Sequence, residues 1–118
     1  MTPAISYQLH IDVKRSIRIR VGCLGHFQFP AGSYVYTGSA KRNIETRIAL
    51  HLRKEKAFHW HIDWLLAAPG VTVASVTRSG KGECALNQKV TGTIVVPGFG
   101  ASDCRNGCGS HLRYLGKK

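Results

Sequence analysis

The sequence predicts an α+β domain in which a small antiparallel or mixed sheet is flanked by helices. Three observations predict it. The first residues alternate apolar and polar with a period of two, and past Gly38 the apolar period lengthens to about four. Strand-like and helix-like stretches then interleave irregularly, with a hairpin among them, instead of repeating as regular β–α units. With 118 residues, 43% of them hydrophobic, the chain has the size of one ordinary domain, 1–118, and enough apolar side chains for a real core. No linker, repeat or low-complexity stretch interrupts it.

Ile5, Tyr7, Leu9, Ile11 and Val13 alternate with polar neighbours and predict the first strand. Ile17, Ile19 and Val21 repeat the pattern after a basic turn at Lys14 and Arg15, so the two runs are expected to form a hairpin. The stretch GCLGHFQFPAGS is turn-rich and is expected to deliver the chain to a strand at Tyr34–Thr37. Ile44, Ile48 and Leu52 then recur every four residues, while Arg47, His51 and Lys54 share another face. That is an amphipathic helix with a cationic side. HWHIDWLLAAPG predicts a second helix stopped by Pro69-Gly70. VTVASVT is a further strand, and ECALNQKV, after Gly82, a short helix with Glu83 in its first turn. The tail from Val95 is loop-like until His111–Leu115, a last strand.

The charge balance narrows the partners. Seventeen Lys+Arg against six Asp+Glu give +11, with a sequence pI of about 10.0. Such an imbalance attracts polyanions whatever the fold, nucleic acid first and an anionic membrane surface second. The basic residues run from Lys14 to Lys118 and are not gathered in a tail, which favours a charged face on a folded body. No apolar run approaches the roughly 18–20 residues needed to cross a bilayer. The start, MTPAISYQLHIDVKRS, lacks the apolar centre of a signal peptide. A cytoplasmic protein with no membrane partner is expected, in which Cys23, Cys84, Cys104 and Cys108 are thiols or metal ligands and not disulfides.

Cutting a phosphodiester needs an activated water, a cation to oppose charge on the phosphorane, and a Lewis acid or proton for the leaving oxygen. The carboxylates available to hold a hard divalent ion are Asp12, Glu45, Glu55, Asp63, Glu83 and Asp103. Glu83 opens a helix whose next residues are apolar. It is either a ligand on a well-anchored element or a first-turn carboxylate favoured by the helix dipole.

The run Tyr36-Thr37-Gly38, Ser39-Ala40-Lys41, Arg47 and His51 resembles the second half of the GIY-YIG nuclease signature. Ile5-Ser6-Tyr7 stands where its first half would be, with Ile5 in place of the glycine and Thr37 as the middle residue of the second half. The spacing between the halves is long, and the extra residues would form an inserted β-hairpin arm at Ile17–Val21. FHWHIDWLL, GECAL, PGFGASDC and SHL extend the resemblance over almost the whole chain, to a branch of small stand-alone proteins of the Uri type.

That resemblance implies a divalent-metal-dependent endonuclease that hydrolyses phosphodiester bonds in DNA, with RNA left open. It implies that Tyr7 and Tyr36 line the site from adjacent strands, one of them accepting or relaying the proton of the attacking water. Arg47 would hold the scissile phosphate, His51 would act as base or phosphate donor, and Glu83 would bind a single Mg²⁺ or Mn²⁺. Contacts to nucleic acid are expected from Ser39, Lys41, Arg42, Arg53 and Lys54. The rival reading is a non-catalytic basic module that keeps the phosphate-docking face. A third is a scaffold held by metal.

Plainer roles stand beside these. Tyr34 shares a strand face with Tyr36 and is expected to pack structurally. His59 and Asp63 lie one helical turn apart, with Trp60 and Trp64 as a companion core pair; His61 cannot share their face. Cys104, Cys108 and His111 have spacings for three zinc ligands, with Cys84, His59 or His61 as a fourth. Buried thiols are the preferred expectation, and zinc is not expected. No helix-turn-helix or zinc-finger reader is present in the sequence, so low sequence specificity is expected.

Overall fold

A computed structural model describes residues 5–39, 43–53, 61–90, 92–99 and 110–116. Four strands form the main sheet in the order β5-β1-β4-β6: β1 (Ser6–Val13), β4 (Gly32–Ser39), β5 (Val71–Ser79) and β6 (Leu112–Gly116). Every pairing in it is antiparallel. β2 (Ile17–Val21) and β3 (Gly25–Phe29) form a separate two-stranded ribbon joined by a 3₁₀ turn at Gly22–Leu24. Among the described residues three helices accompany the sheets: α1 (Ile44–Leu52), α2 (His61–Leu66) and α3 (Glu83–Lys89). The class is α+β, as the sequence predicts.

Alternation in β1 turns Tyr7, Leu9, Ile11 and Val13 to one face, where all four are buried. Antiparallel register sets Tyr7 opposite Gly38, Leu9 opposite Tyr36 and Ile11 opposite Tyr34. These residues meet Ile48 of α1, Ile62, Leu65 and Leu66 of α2, and Val21 and Phe29 of the ribbon in one core. β4 is buried on both faces between Tyr34 and Gly38, since α3 packs on it as well. Tyr34 is structural in this setting: its hydroxyl donates to the Pro30 carbonyl at 2.6 Å, and burial raises its pKa further beyond the usual range. Gly70, at φ +79, turns the chain from α2 into β5. Among the described residues no helix is long and apolar enough to cross a membrane.

The expected pairing of β1 with the Ile17–Val21 run does not form. Both edges of β1 are taken, by β4 and β5, and Lys14 N donates to Gly70 O as the chain leaves the sheet. β2 pairs instead with β3, a strand inside the stretch read as turns. His26-Phe27-Gln28-Phe29 alternates like any strand but is hemmed in by Gly25 and Pro30.

The expected faces of α1 are also corrected. Ile48 and His51 are its buried residues, and Leu52 is 49% exposed. The inward stripe is Ile44–Ile48–His51, spaced i, i+4, i+7, and His51 does not stand on a solvated cationic side.

Candidate functional site

Gly38 is where the two half-motifs meet. A Cβ at that position would lie 2.6 Å from both Cζ and Oη of Tyr7, so the Tyr7 ring crosses its partner strand only over a glycine. This gives the glycine of Tyr36-Thr37-Gly38 a packing reason, with no left-handed backbone involved.

Tyr7 Oη lies 2.7 Å from His51 Nε2, and His51 Nδ1 lies 3.4 Å from Asp63 Oδ1. An ionised carboxylate only accepts. It therefore favours the tautomer with its proton on Nδ1, leaving Nε2 to accept from the Tyr7 hydroxyl. Three elements build this chain: β1 supplies the phenol, α1 the imidazole and α2 the carboxylate. Tyr7, His51 and Asp63 are 1%, 2% and 0% exposed, so their hydrogen bonds act in a low-dielectric interior that strengthens them. The Tyr36 ring stands edge-on to His51 with centroids 6.2 Å apart, and 6.5 Å from the Tyr7 ring.

Arg47 shares its helix face with His51, one turn earlier. It is half-buried, and its Nη1 donates to the Ser39 carbonyl at 3.1 Å, which ties α1 to the end of β4. Tyr7, Tyr36, Arg47, His51 and Ser39 are thus brought together. Arg53 is exposed just past α1. Lys41, Arg42 and Lys54 lie outside the described residues. Glu83 is the first residue of α3, which packs on β4, and its side chain is not among those described.

Asp63 is the member of the chain that the sequence reading missed. Helical spacing pairs it with His59 on its own helix, and His59 lies outside the described residues. The available signal was a carboxylate within the apolar run HIDWLL, where an ionised group needs a buried partner.

His111 is buried, with Nε2 3.9 Å from Sγ of Cys84. Cys104 and Cys108, the other two residues at zinc-ligand spacing, lie outside the described residues. Among the described residues no group of three His, Cys, Asp or Glu side chains is placed to hold a metal. His61 packs on Phe99 at 5.7 Å, and burial holds its imidazole below the usual pKa.

The larger hollows lie elsewhere. A cavity of about 540 Å³ is lined by Asp12, Val13, Lys14, Ala31, Gly32, Gly70 and Thr72, at the end of the β1–β4 pair remote from Tyr7 and Gly38. A smaller one of about 220 Å³, between α1, α2 and β5, touches His51 and Arg53. Only the second adjoins the Tyr7–His51–Asp63 chain. The bonding, and not cavity size, singles out this site.

A family model described as a domain of unknown function, DUF123, matches residues 6–118. No curated protein and no solved structure matches the chain.

Proposed function

The chain belongs to the DUF123 family, and we propose that it is a divalent-metal-dependent endonuclease of the GIY-YIG kind, hydrolysing phosphodiester bonds in DNA. The observation that carries this reading is the hydrogen bond from Tyr7, seated over Gly38, to His51 on the helix that also bears Arg47. Two half-motifs far apart in sequence are then one site.

In this reading the Tyr7 oxygen takes the proton of the attacking water while its own proton passes to His51 Nε2. A free phenol, with a pKa near 10, is a poor base at neutral pH; concerted transfer to an imidazole removes that obstacle. Asp63 holds the ring in the accepting tautomer and stabilises the imidazolium that forms, as a carboxylate behind a histidine does in acyl transfer. Arg47, fixed through Ser39, offers a planar cation to the phosphorane. Tyr36 packs against His51 and shapes the wall of the site.

This reading calls for a single hard ion. Mg²⁺ is commonly held by one or two carboxylates, with water and substrate phosphate completing the shell, so a cluster of protein ligands is not required. Glu83 would be that carboxylate, on a helix packed against the strand of Tyr36 and Gly38. A bound Mg²⁺ or Mn²⁺ supplies Lewis acidity at the phosphate and charge for the departing oxygen.

The test is a cleavage assay on labelled duplex, flap, junction and single-stranded substrates with Mg²⁺ or Mn²⁺. Wild-type protein should cut at least one, while Tyr7→Phe and Arg47→Ala should not. Absence of cleavage on every substrate with either ion refutes the proposal.

One observation favours the rival reading. Tyr7, His51 and Asp63 are nearly solvent-free, which also suits a buried network that only fixes α1 against β1 and α2. A basic binding module built this way would bind nucleic acid without turnover, and Tyr7→Phe would leave its affinity unchanged.

A further inference from the structure

The β2–β3 ribbon has two unlike faces. Val21 and Phe29 are fully buried in the core, and Ile17, Ile19 and Phe27 pack partly against it. The ribbon is seated on α2, and Gly22 lies so close to Trp64 that a Cβ there would be 3.4 Å from its Nε1. The other face carries Arg18, Arg20, His26 and Gln28, all exposed. Register sets Arg18 opposite Gln28 and Arg20 opposite His26, so the four form one patch. Exposed Lys14 and Arg15 lead into it.

Nothing in the sequence neutralises this patch locally. No Asp or Glu occurs between Asp12 and Glu45. The exposed Arg78, by contrast, pairs through two nitrogens with Glu45. Arg20 donates through Nε to Gly22 O at 3.1 Å, which steadies the guanidinium without cancelling its charge. Arg18 and Arg20, two residues apart on the same face of β2, repel each other, and a bound anion would relieve that repulsion.

Resting on the nucleic-acid reading above, we infer that the outer face of the β2–β3 ribbon is a duplex-binding surface, with Arg18 and Arg20 on the phosphate backbone. The two lie about 6.7 Å apart along their strand, and a two-stranded ribbon fits a major groove about 12 Å wide. The face carries no Phe, Tyr or Trp, its one ring being the His26 imidazole, so it lacks the large stacking platform of single-strand binders. Its apolar residues point inward, so it has no wedge for a lipid surface. α2 links this arm to the candidate site: Trp64 lies under Gly22, and Asp63 reaches His51.

The test is fluorescence anisotropy on a labelled duplex in chelator across a salt series, where binding needs no turnover. Arg18→Ala/Arg20→Ala should make the log Kd against log salt slope shallower by about 2, one phosphate per arginine. Ala74→Glu/Ser75→Glu removes the same two units of charge at exposed positions outside the ribbon and should leave the slope at the wild-type value. Arg18→Gln/Arg20→Gln keeps the length of the side chains over the strand and should lose as much as the alanine pair, with unchanged circular-dichroism melting. Equal slopes for the ribbon and β5 variants would overturn the inference, leaving only net charge. So would a loss confined to single strands or to anionic vesicles. A protein that binds through the ribbon but never cuts sinks the nuclease proposal alone. One that binds and cuts normally without these arginines sinks only this inference.

Discussion

Gly38→Ala perturbs the site through one methyl group. Its Cβ would stand 2.6 Å from Cζ and Oη of Tyr7 and 3.1 Å from Cε2, where carbon atoms ordinarily approach to about 3.5–4.0 Å. The ring must retreat by about 1 Å. It is 1% exposed and hydrogen-bonded at its tip to His51 at 2.7 Å, so it has no free direction to take. Overpacking of this kind costs about 1–3 kcal/mol, and the strained hydrogen bond about 1 kcal/mol more. Alanine regains about 0.5–1 kcal/mol over glycine inside a strand. The net loss is about 2 kcal/mol.

Urea unfolding followed by circular dichroism reads this directly. With a slope of about 1–3 kcal/mol per molar for a small protein, the midpoint should fall by about 1 M. The cause is isolated by repeating the substitution in Tyr7→Leu. There the obstructing ring tip is gone, and Gly38→Ala should become neutral or stabilising by up to about 1 kcal/mol. An alanine that stabilises the wild-type protein would refute the packing of Tyr7 over Gly38, and the hydrogen-bond chain built on it.

Four further outcomes are expected. Arg47→Ala should lower cleavage on the order of a hundredfold or more, and Arg47→Lys should not restore it, because an ammonium lacks the planar fork; single-turnover rates check both. Asp63→Asn should lower cleavage by a comparable factor and destabilise the fold by about 1–3 kcal/mol, with ring-nitrogen NMR shifts showing His51 no longer held as the Nδ1–H tautomer. Glu83→Ala should abolish metal-dependent cleavage while leaving duplex affinity in chelator unchanged, measured by anisotropy. His61→Gln should flatten the acid side of the stability curve: burial lowers the folded pKa of His61, so its contribution is present above the unfolded value of about 6.5 and lost as pH falls below it. Urea midpoints between about pH 7 and pH 5 would show the wild type declining more steeply than the variant.

Most elements were legible because each announces itself locally. The alternation of Tyr7, Leu9, Ile11 and Val13, and the period of four beginning at Ile44, need no knowledge of the rest of the chain. The choice of partner is not local. Whether Ile17–Val21 pairs backwards with β1 or forwards with β3 depends on β5, more than forty residues later, taking the free edge of β1. The site divides in the same way. Tyr7, Gly38, Arg47 and His51 sit in short recognisable runs, whereas Asp63 meets His51 only where α1 and α2 pack. A helical wheel can pair Asp63 only with neighbours on its own helix, and it chose His59.

His51 and Leu52 carry a further meaning. Adjacent on α1, they could have exchanged roles by a modest rotation of the helix, since Ile44–Ile48–Leu52 is as regular a stripe as Ile44–Ile48–His51. Burying a leucine side chain is worth about 1.5–3 kcal/mol, and burying an imidazole costs free energy until its nitrogens are bonded. The fold nevertheless leaves Leu52 49% exposed and His51 2% exposed, with Tyr7 and Asp63 at its two nitrogens. A choice that opposes the hydrophobic gradient and requires two matched polar partners from two other elements is expected where function, and not packing, sets the residue. The same helix rotation that hides His51 turns Arg47 to the end of β4, where it bonds Ser39. The orientation of α1 is therefore set jointly by the imidazole and the guanidinium, the two groups that the proposed chemistry needs at one phosphate.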